Sequence, residues 1–308
     1  LKFNDFIQIE IPLPPVAEQR RIVAKIEELF SELDKGVESL KTAREQLKVY
    51  RQAVLKHAFE GKLTAKWREE NRAARWTYTT LGKQLTYLTS GSRGWADYYS
   101  DKGSIFIRAQ NIKTDSLELE DIAFVQLPEK AEGMRTRVQQ GDVLITITGA
   151  NVTKTAFLDR DIGDAYVSQH VALCRPKDSI DTEFLYWFLV SEAFGRKQLK
   201  DAAYGAGKPG LNLENIRSTE LPLPGMQEQK EIVREIQHQL SAEIIAGESI
   251  DVELGRSEAL RQSILKKAFS GQLVPQDPND EPASVLLERI RAEKAAQAKG
   301  GKRAKVPA

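Results

Sequence analysis

Apolar positions along residues 22–54 recur at alternating steps of four and three: Ile22, Ile26, Leu29, Leu33, Gly36, Leu40, Ala43, Leu47, Tyr50 and Val54. This spacing keeps one stripe on one face of a helix and predicts a coiled-coil seam. Pro12, Pro14 and Pro15 precede the stripe, where a fixed φ suits an extended entry and a first helical turn but not a helix interior. Gly61 follows it, in position to close the helix with left-handed backbone. At ~1.5 Å per residue such a helix is on the order of 60 Å long.

The same pattern returns. IPLPPVAEQRRIVAKIEEL, from Ile11, is matched without a gap by LPLPGMQEQKEIVREIQHQ, from Leu221, so that Pro12 recurs as Pro222, 210 positions later. At that offset YRQAVLKHAFEGKL from Tyr50 meets LRQSILKKAFSGQL from Leu260, and Leu1 meets Leu211. The second copy, with Ile232, Ile236, Leu240, Ile250, Leu260 and Ile264, predicts another long helix ending near Gly271. Glu243, Glu253 and Ser257 interrupt its seven-residue positions. A helix this long with one apolar stripe needs a partner for it, and the other copy is the natural one, which predicts an antiparallel pair.

Between the copies, from about Trp76 to Ser218, the period shortens to β-like runs: SIFIRA at Ser104, VLITIT at Val143, TKTAFL at Thr153 and AYVSQHVALC at Ala165. A helix, TEFLYWFLVSEAFGRKQLKDAAY, follows with Asp181 as N-cap. The fold class is therefore α+β: one mixed α/β domain flanked by two long helices that pair as an antiparallel coiled coil.

Composition adds exclusions. The 308 residues carry 45 basic and 44 acidic side chains, and 41% hydrophobic content is enough for a packed core. A single cysteine, Cys174, excludes an intrachain disulfide and a cysteine-cluster zinc site, and agrees with a cytoplasmic location. No apolar run approaches the ~18 residues of a membrane span, so no membrane partner is expected. The middle domain is near neutral, with 17 basic and 18 acidic residues between Trp76 and Ser218, whereas Leu40 to Arg75 holds ten basic against four acidic ones. That cluster suits phosphate contact or simply a solvated helix face.

The chemistry-bearing loops are SGSRGWADYY from Ser90, RAQNIK from Arg108, TGANVTK from Thr148 and AYGAGKPGLN from Ala203. Arg side chains suit guanine, Asn and Gln suit adenine, and Lys suits phosphate. The candidate DNA-binding residues are Ser92, Arg93, Trp95, Tyr98, Arg108, Gln110, Asn111, Lys113, Asn151, Thr153, Lys154, Gln169, His170 and Lys208, with Tyr99 a further ring able to stack. Catalytic, cofactor and metal sites are not expected. Gly205, Gly207 and Gly210 satisfy G-x-G-x-x-G but follow a helix and enclose Pro209, so the strand–turn–helix context of a dinucleotide site is absent. Pro209 also replaces the hydroxyl residue a P-loop requires, and His57, His170 and His238 are scattered. DPND at Asp277 lacks the second proline and the aromatic of an adenine-methyltransferase motif.

The repeated LPLP-x-x-E-Q element, with RQAVLKHAFEGKL and RQSILKKAFSGQL, resembles the two conserved helical regions of type I restriction-modification specificity subunits. SGS at Ser90, IRAQNI at Ile107, GDVLITITG at Gly141, SQHVALCRP at Ser168 and EFLYWFL at Glu183 resemble that family's target recognition domain. The resemblance implies residues 1–11 as the end of a missing first recognition domain, 12–63 as the first conserved helix, 64–75 as a linker and 76–220 as the recognition domain. It implies 221–273 as the second conserved helix and 274–308 as an extension with a short helix and a basic tail. It further implies a non-catalytic subunit that reads half of a bipartite double-stranded DNA target and docks methyltransferase subunits and a restriction/translocase subunit. S-adenosylmethionine and ATP with magnesium then belong to those partners, and a homodimer through the helices is a further expectation. The competing reading is a coiled-coil protein-interaction scaffold without sequence-specific DNA binding.

Overall fold

The structure, a computed structural model, describes residues 9–91, 93–128, 134–205, 207 and 209–301. The chain forms two compact units, Leu1–Leu47 with Ile245–Ala308, and Lys48–Ile244. Most of the segment expected to end a preceding domain, residues 1–8, lies outside the described residues, as do Ser92, Lys208 and the tail beyond residue 301.

Helix α1 covers Val16–Phe59. Its end is closed at Gly61, φ +73°, where the Gly61 and Lys62 amides donate to the carbonyls of Ala58 and His57. The segment expected as a linker carries a short helix, α2 (Ala65–Glu70), in which Arg68 has partners on both sides: its Nε donates to buried Glu228 at 3.0 Å and its guanidinium lies over the Trp76 ring.

Strand β1 (Thr77–Thr80) opens the middle domain, and a one-turn helix α3 (Leu81–Gln84) leads into β2 (Leu85–Ser90). Then come β3 (Tyr99–Ser100), β4 (Ser104–Ile107), β5 (Ala123–Val125), β6 (Val143–Thr146), β7 (Thr155–Phe157), β8 (Ala165–Val167) and β9 (Val171–Pro176). Helices α4 (Thr182–Val190), α5 (Gly195–Ala202) and α6 (Leu213–Arg217) precede β10 (Glu220–Leu223). Helix α7 (Met226–Phe269) and helix α8 (Ala283–Gly301) complete the order.

Strands β1 and β10 pair antiparallel and clip the entry of the domain to its exit. One four-stranded sheet runs β2-β9-β6-β7, all antiparallel; the other runs β3-β5-β4-β8, with β4 and β8 parallel. Two expectations change here. The run AYVSQHVALC is not one strand: the Ser168 amide donates to Ile107 at 2.8 Å and a turn at Ser168–His170 sends β8 and β9 into different sheets. The single helix after Asp181 is likewise two, α4 and α5, broken at Ser191–Phe194, where backbone passes so close that a Cβ on Gly195 would lie 2.6 Å from the Phe188 carbonyl.

The core of the Lys48–Ile244 unit explains the apolar end of α1. Val54, Leu55, Ala58 and Phe59 pack with Ile232, Val233, Ile236 and Leu240 of α7 and with Phe184, Leu185, Phe188 and Leu189 of α4. In the same unit Arg51 of α1 meets Glu243 of α7 at 2.8 Å. In the other unit Arg44 meets Asp251 at 2.9 Å and Arg261 meets Asp34. Within that unit a step of ten residues from Asp34 to Arg44 matches an equal step back from Arg261 to Asp251, so the helices are antiparallel. The seam departs from the strict repeat in α1: Gly36 and Tyr50 are exposed, while Phe30, Val37 and Arg51 are half-buried. An ideal α-helix drifts ~20° per heptad against a strict seven-residue repeat, enough to move a stripe by one position over several heptads. Among the described residues no helix is long and apolar enough to cross a membrane.

Candidate nucleic-acid interface

The loops singled out by their side chains and the turn at 168–170 are stitched together by hydrogen bonds. Gly91 donates to Ser168 and Ser168 to Ile107, joining the ends of β2, β4 and β8. Gly91 has to be glycine there, since a Cβ would lie 2.2 Å from the Val167 carbonyl. Ile147 donates to His170 and Gly149 to Pro209, and the Asn151 side chain donates through Nδ2 to the Ala109 carbonyl at 3.2 Å. The chain at Gly91 and the loops at 108–111, 147–153, 168–170 and 209–210 are therefore joined to one another.

A cleft of about 310 Å³ opens at the loops 108–111 and 168–170. Trp95, Arg108, Gln110, Gln169 and His170, five of the candidates, line it together with Tyr99 and Phe106. Trp95 is buried, stacked on Phe106 at 5.3 Å between ring centres, with Tyr98 and Tyr166 edge-on to it; it is a wall of the cleft. Arg93 is exposed and Tyr98 half-buried.

Asp121 organises the opposite wall. Its carbonyl accepts from Arg108 Nη2 and from Asn111 Nδ2, both at 2.9 Å, and its carboxylate accepts from Gln110 Nε2 at 2.8 Å. No signal in the sequence points to Asp121, because a lone exposed Asp between loops reads as solvated surface. Lys113 is paired with Glu118 at 3.0 Å, and Lys154 faces Asp115 at 3.7 Å. Asp115, in left-handed backbone at φ +64°, also accepts from the Thr155 amide and pairs with buried Arg196, and its carbonyl takes the Tyr186 hydroxyl. That network fixes the 112–117 loop to α4 and α5; it does not line the cleft.

Two candidates are buried. Asn111 is 3% exposed: its amide spans Glu118 and Asp121 while its oxygen accepts from the Arg108 amide, so it braces the loop from inside. Thr153 is 1% exposed, held at φ +71° in a turn whose amide donates to Thr146. Neither side chain can reach a nucleic acid without the loop opening. Among the described residues no three of His, Cys, Asp and Glu gather as metal ligands. Burial, with Asp142 nearby, pushes the Cys174 thiol far above its ordinary pKa, so it is inert as a nucleophile.

The middle domain thus presents a cleft with aromatic side chains and oriented amide and guanidinium groups. Residues 98–254 match the domain family described as the type I restriction modification DNA specificity domain. The chain is 30% identical over 322 residues to the specificity subunit of the type I restriction enzyme EcoKI of Escherichia coli K12, covering 99% of this chain and 68% of that protein. It is 29% identical over 317 residues to the EcoBI specificity subunit of Escherichia coli, covering 96% and 66%. A solved structure from work on complex assembly and conformational transition of the type I restriction-modification system shares the fold, with TM-score 0.63 and 22% identity over 89% of this chain and 64% of that one. The chain belongs to the family of type I restriction-modification specificity subunits, the non-catalytic recognition component, and spans about two thirds of the length of these relatives.

Proposed function

We propose that this chain reads one half of a bipartite double-stranded DNA target for a type I restriction-modification complex, in the cytoplasm, through the loops around the Tyr99–His170 cleft. The observation that carries the half-site reading is a repeated seat. In the Lys48–Ile244 unit, Phe59 is 3% exposed against Phe184, Phe188 and Phe194, and the Gln229 side chain accepts from the backbone amide of Asp181, whose carboxylate caps α4. The residues 210 positions away form a second seat in the other unit: Gln19, Ile22, Val23, Ile26, Ala268 and Phe269 line a groove of about 530 Å³ in which Phe269 is 64% exposed. Gln19 repeats the bond of Gln229 to the proline five residues before it, Pro14 in place of Pro224. Two equivalent seats call for two recognition domains, one supplied by α4 of this chain and the other by further polypeptide or by a second copy joining through the helices.

Exposed apolar side chains along the long helices, Val49, Ile245, Val252 and Leu260, offer docking area for methyltransferase subunits, with a restriction/translocase subunit joining that assembly. S-adenosylmethionine and ATP with magnesium act on those partners. The test is selection of bound duplexes from a random library by the chain mixed with its methyltransferase subunit, at two salt concentrations. One enriched short motif whose binding weakens with salt is expected; a palindromic pair at fixed spacing identifies the homodimer. A stable protein complex that enriches nothing would favour the scaffold reading and overturn this one.

A further inference from the structure

From the cleft's shape and chemistry we infer that it receives a single nucleobase swung out of the bound duplex; this rests on the DNA-reading role proposed above. A nucleobase has a flat π face and an edge of alternating donors and acceptors, and the cleft offers one wall for each. The aromatic wall is Tyr99, 49% exposed and edge-on to Phe106 at 5.7 Å, with buried Trp95 stacked behind Phe106. The polar wall is Arg108, Gln110, Gln169 and His170. The volume of about 310 Å³ stands at the small end of ligand pockets, the range of one base rather than of an extended ligand.

The polar wall also holds unmet hydrogen-bonding capacity. Gln169 Oε1 and Arg108 Nε are buried and have no partner among the described residues. An unmet buried polar atom costs about 1–3 kcal/mol, so an incoming edge that satisfies it is favoured beyond its stacking. Gln169 Nε2 lies 3.1 Å from His170 Nε2, and Gln110 is oriented by Asp121, so the amides are held in place before any ligand arrives. A carboxamide pairs in bidentate fashion with the adjacent donor and acceptor of adenine, which makes adenine the first base to test. The cleft therefore reads an extruded base by stacking and by edge contacts, as sites that take a base out of the stack do.

The test uses the chain with its methyltransferase subunit and duplexes carrying the selected target, in which each base in turn faces an abasic site. Removing the pairing partner lowers the cost of extrusion, so binding should tighten about tenfold or more at one position and not at its neighbours. Tyr99→Ala and Gln169→Ala should each abolish that gain, Tyr99→Phe should keep it, and thermal melting should show all three variants folded. Specific binding with no position-dependent gain would overturn the base pocket while leaving the DNA-reading role intact. Failure to select any target would remove that role, and the pocket with it, before an abasic duplex is made. Titration with free deoxynucleotides supplies the other source: if they bind tightly and the abasic series shows no gain, the cleft serves a free nucleotide and the inference is overturned.

Discussion

Arg51 of α1 donates through Nη2 to Glu243 of α7 at 2.8 Å, and Glu243 occupies a seam position with its side chain only 10% exposed. A carboxylate at that position breaks the apolar stripe, and the guanidinium from the facing helix is what makes it tolerable. Such pairs fix register and direction more than they add stability. Arg51→Ala leaves the carboxylate without its partner and is expected to cost about 1–3 kcal/mol in urea unfolding, the lower part of the range for removing a charged partner because Arg51 is a third exposed. Replacing both residues by Leu should restore most of the loss. A single Arg51→Ala variant as stable as wild type would show that Glu243 is solvated.

Phe59 and Phe269 are equivalent in the repeat, yet only the first is enclosed. Phe59→Ala removes an aromatic with three phenylalanine neighbours and is expected to destabilise by about 3–5 kcal/mol. Phe269→Ala should change stability by about 0.5 kcal/mol or less, as surface substitutions do. Equal losses in chemical denaturation would mean that the second seat is also filled in the isolated chain.

Arg108 and Asn111 lie three residues apart and predict different failures. Arg108→Ala should weaken target binding by about 1–3 kcal/mol and relax specificity at one base, with little change in melting temperature. Asn111→Ala removes the bonds to the Arg108 amide and to the Glu118 and Asp121 carbonyls, so it should lower stability by about 1–3 kcal/mol and binding with it. Binding assays paired with thermal melts separate the two. An Asn111→Ala variant that melts normally but fails to bind would return Asn111 to the DNA-reading residues.

Burial raises the Cys174 pKa above its unfolded value, which fixes the sign of a pH effect. The neutral thiol is favoured in the folded chain, so its contribution is complete below the unfolded pKa of about 8.5 and declines as pH rises beyond it, by up to about 1.4 kcal/mol per pH unit. Unfolding free energies measured from pH 7 to 10 should fall along that slope, and Cys174→Ala should flatten it near its start. Native protein should also resist thiol alkylation at pH 8 until it unfolds. Rapid alkylation of the folded chain would contradict the burial.

The two long helices are legible from residue spacing alone, to the point that Val16–Phe59 and Met226–Phe269 start and stop at the repeat offset of 210. Local rules explain why: proline at entry, an apolar stripe and glycine at exit each act within a few residues. The Glu-Gln of the repeated motif is visible in the sequence as a pattern but not as a device; in the fold Gln229 holds Pro224, Ser179 and Asp181. Candidate loops are recognisable by composition, which identifies Trp95, Arg108, Gln110, Gln169 and His170 as chemically suitable. Which of their neighbours point inward is not recognisable, because Asn111 and Thr153 carry side chains as polar as those that line the cleft.

Periodicity and turn chemistry are local, so the order of residues is enough to set the repeat, the helix ends and the side chains available for recognition. Long-range packing alone settles that one β-like run divides between two sheets, that Asp121 orients Arg108 and Gln110, and that Phe59 is covered while Phe269 is open. Those outcomes depend on contacts between segments far apart in the chain, and the partner of a side chain across such a distance is set by packing rather than by its neighbours in sequence.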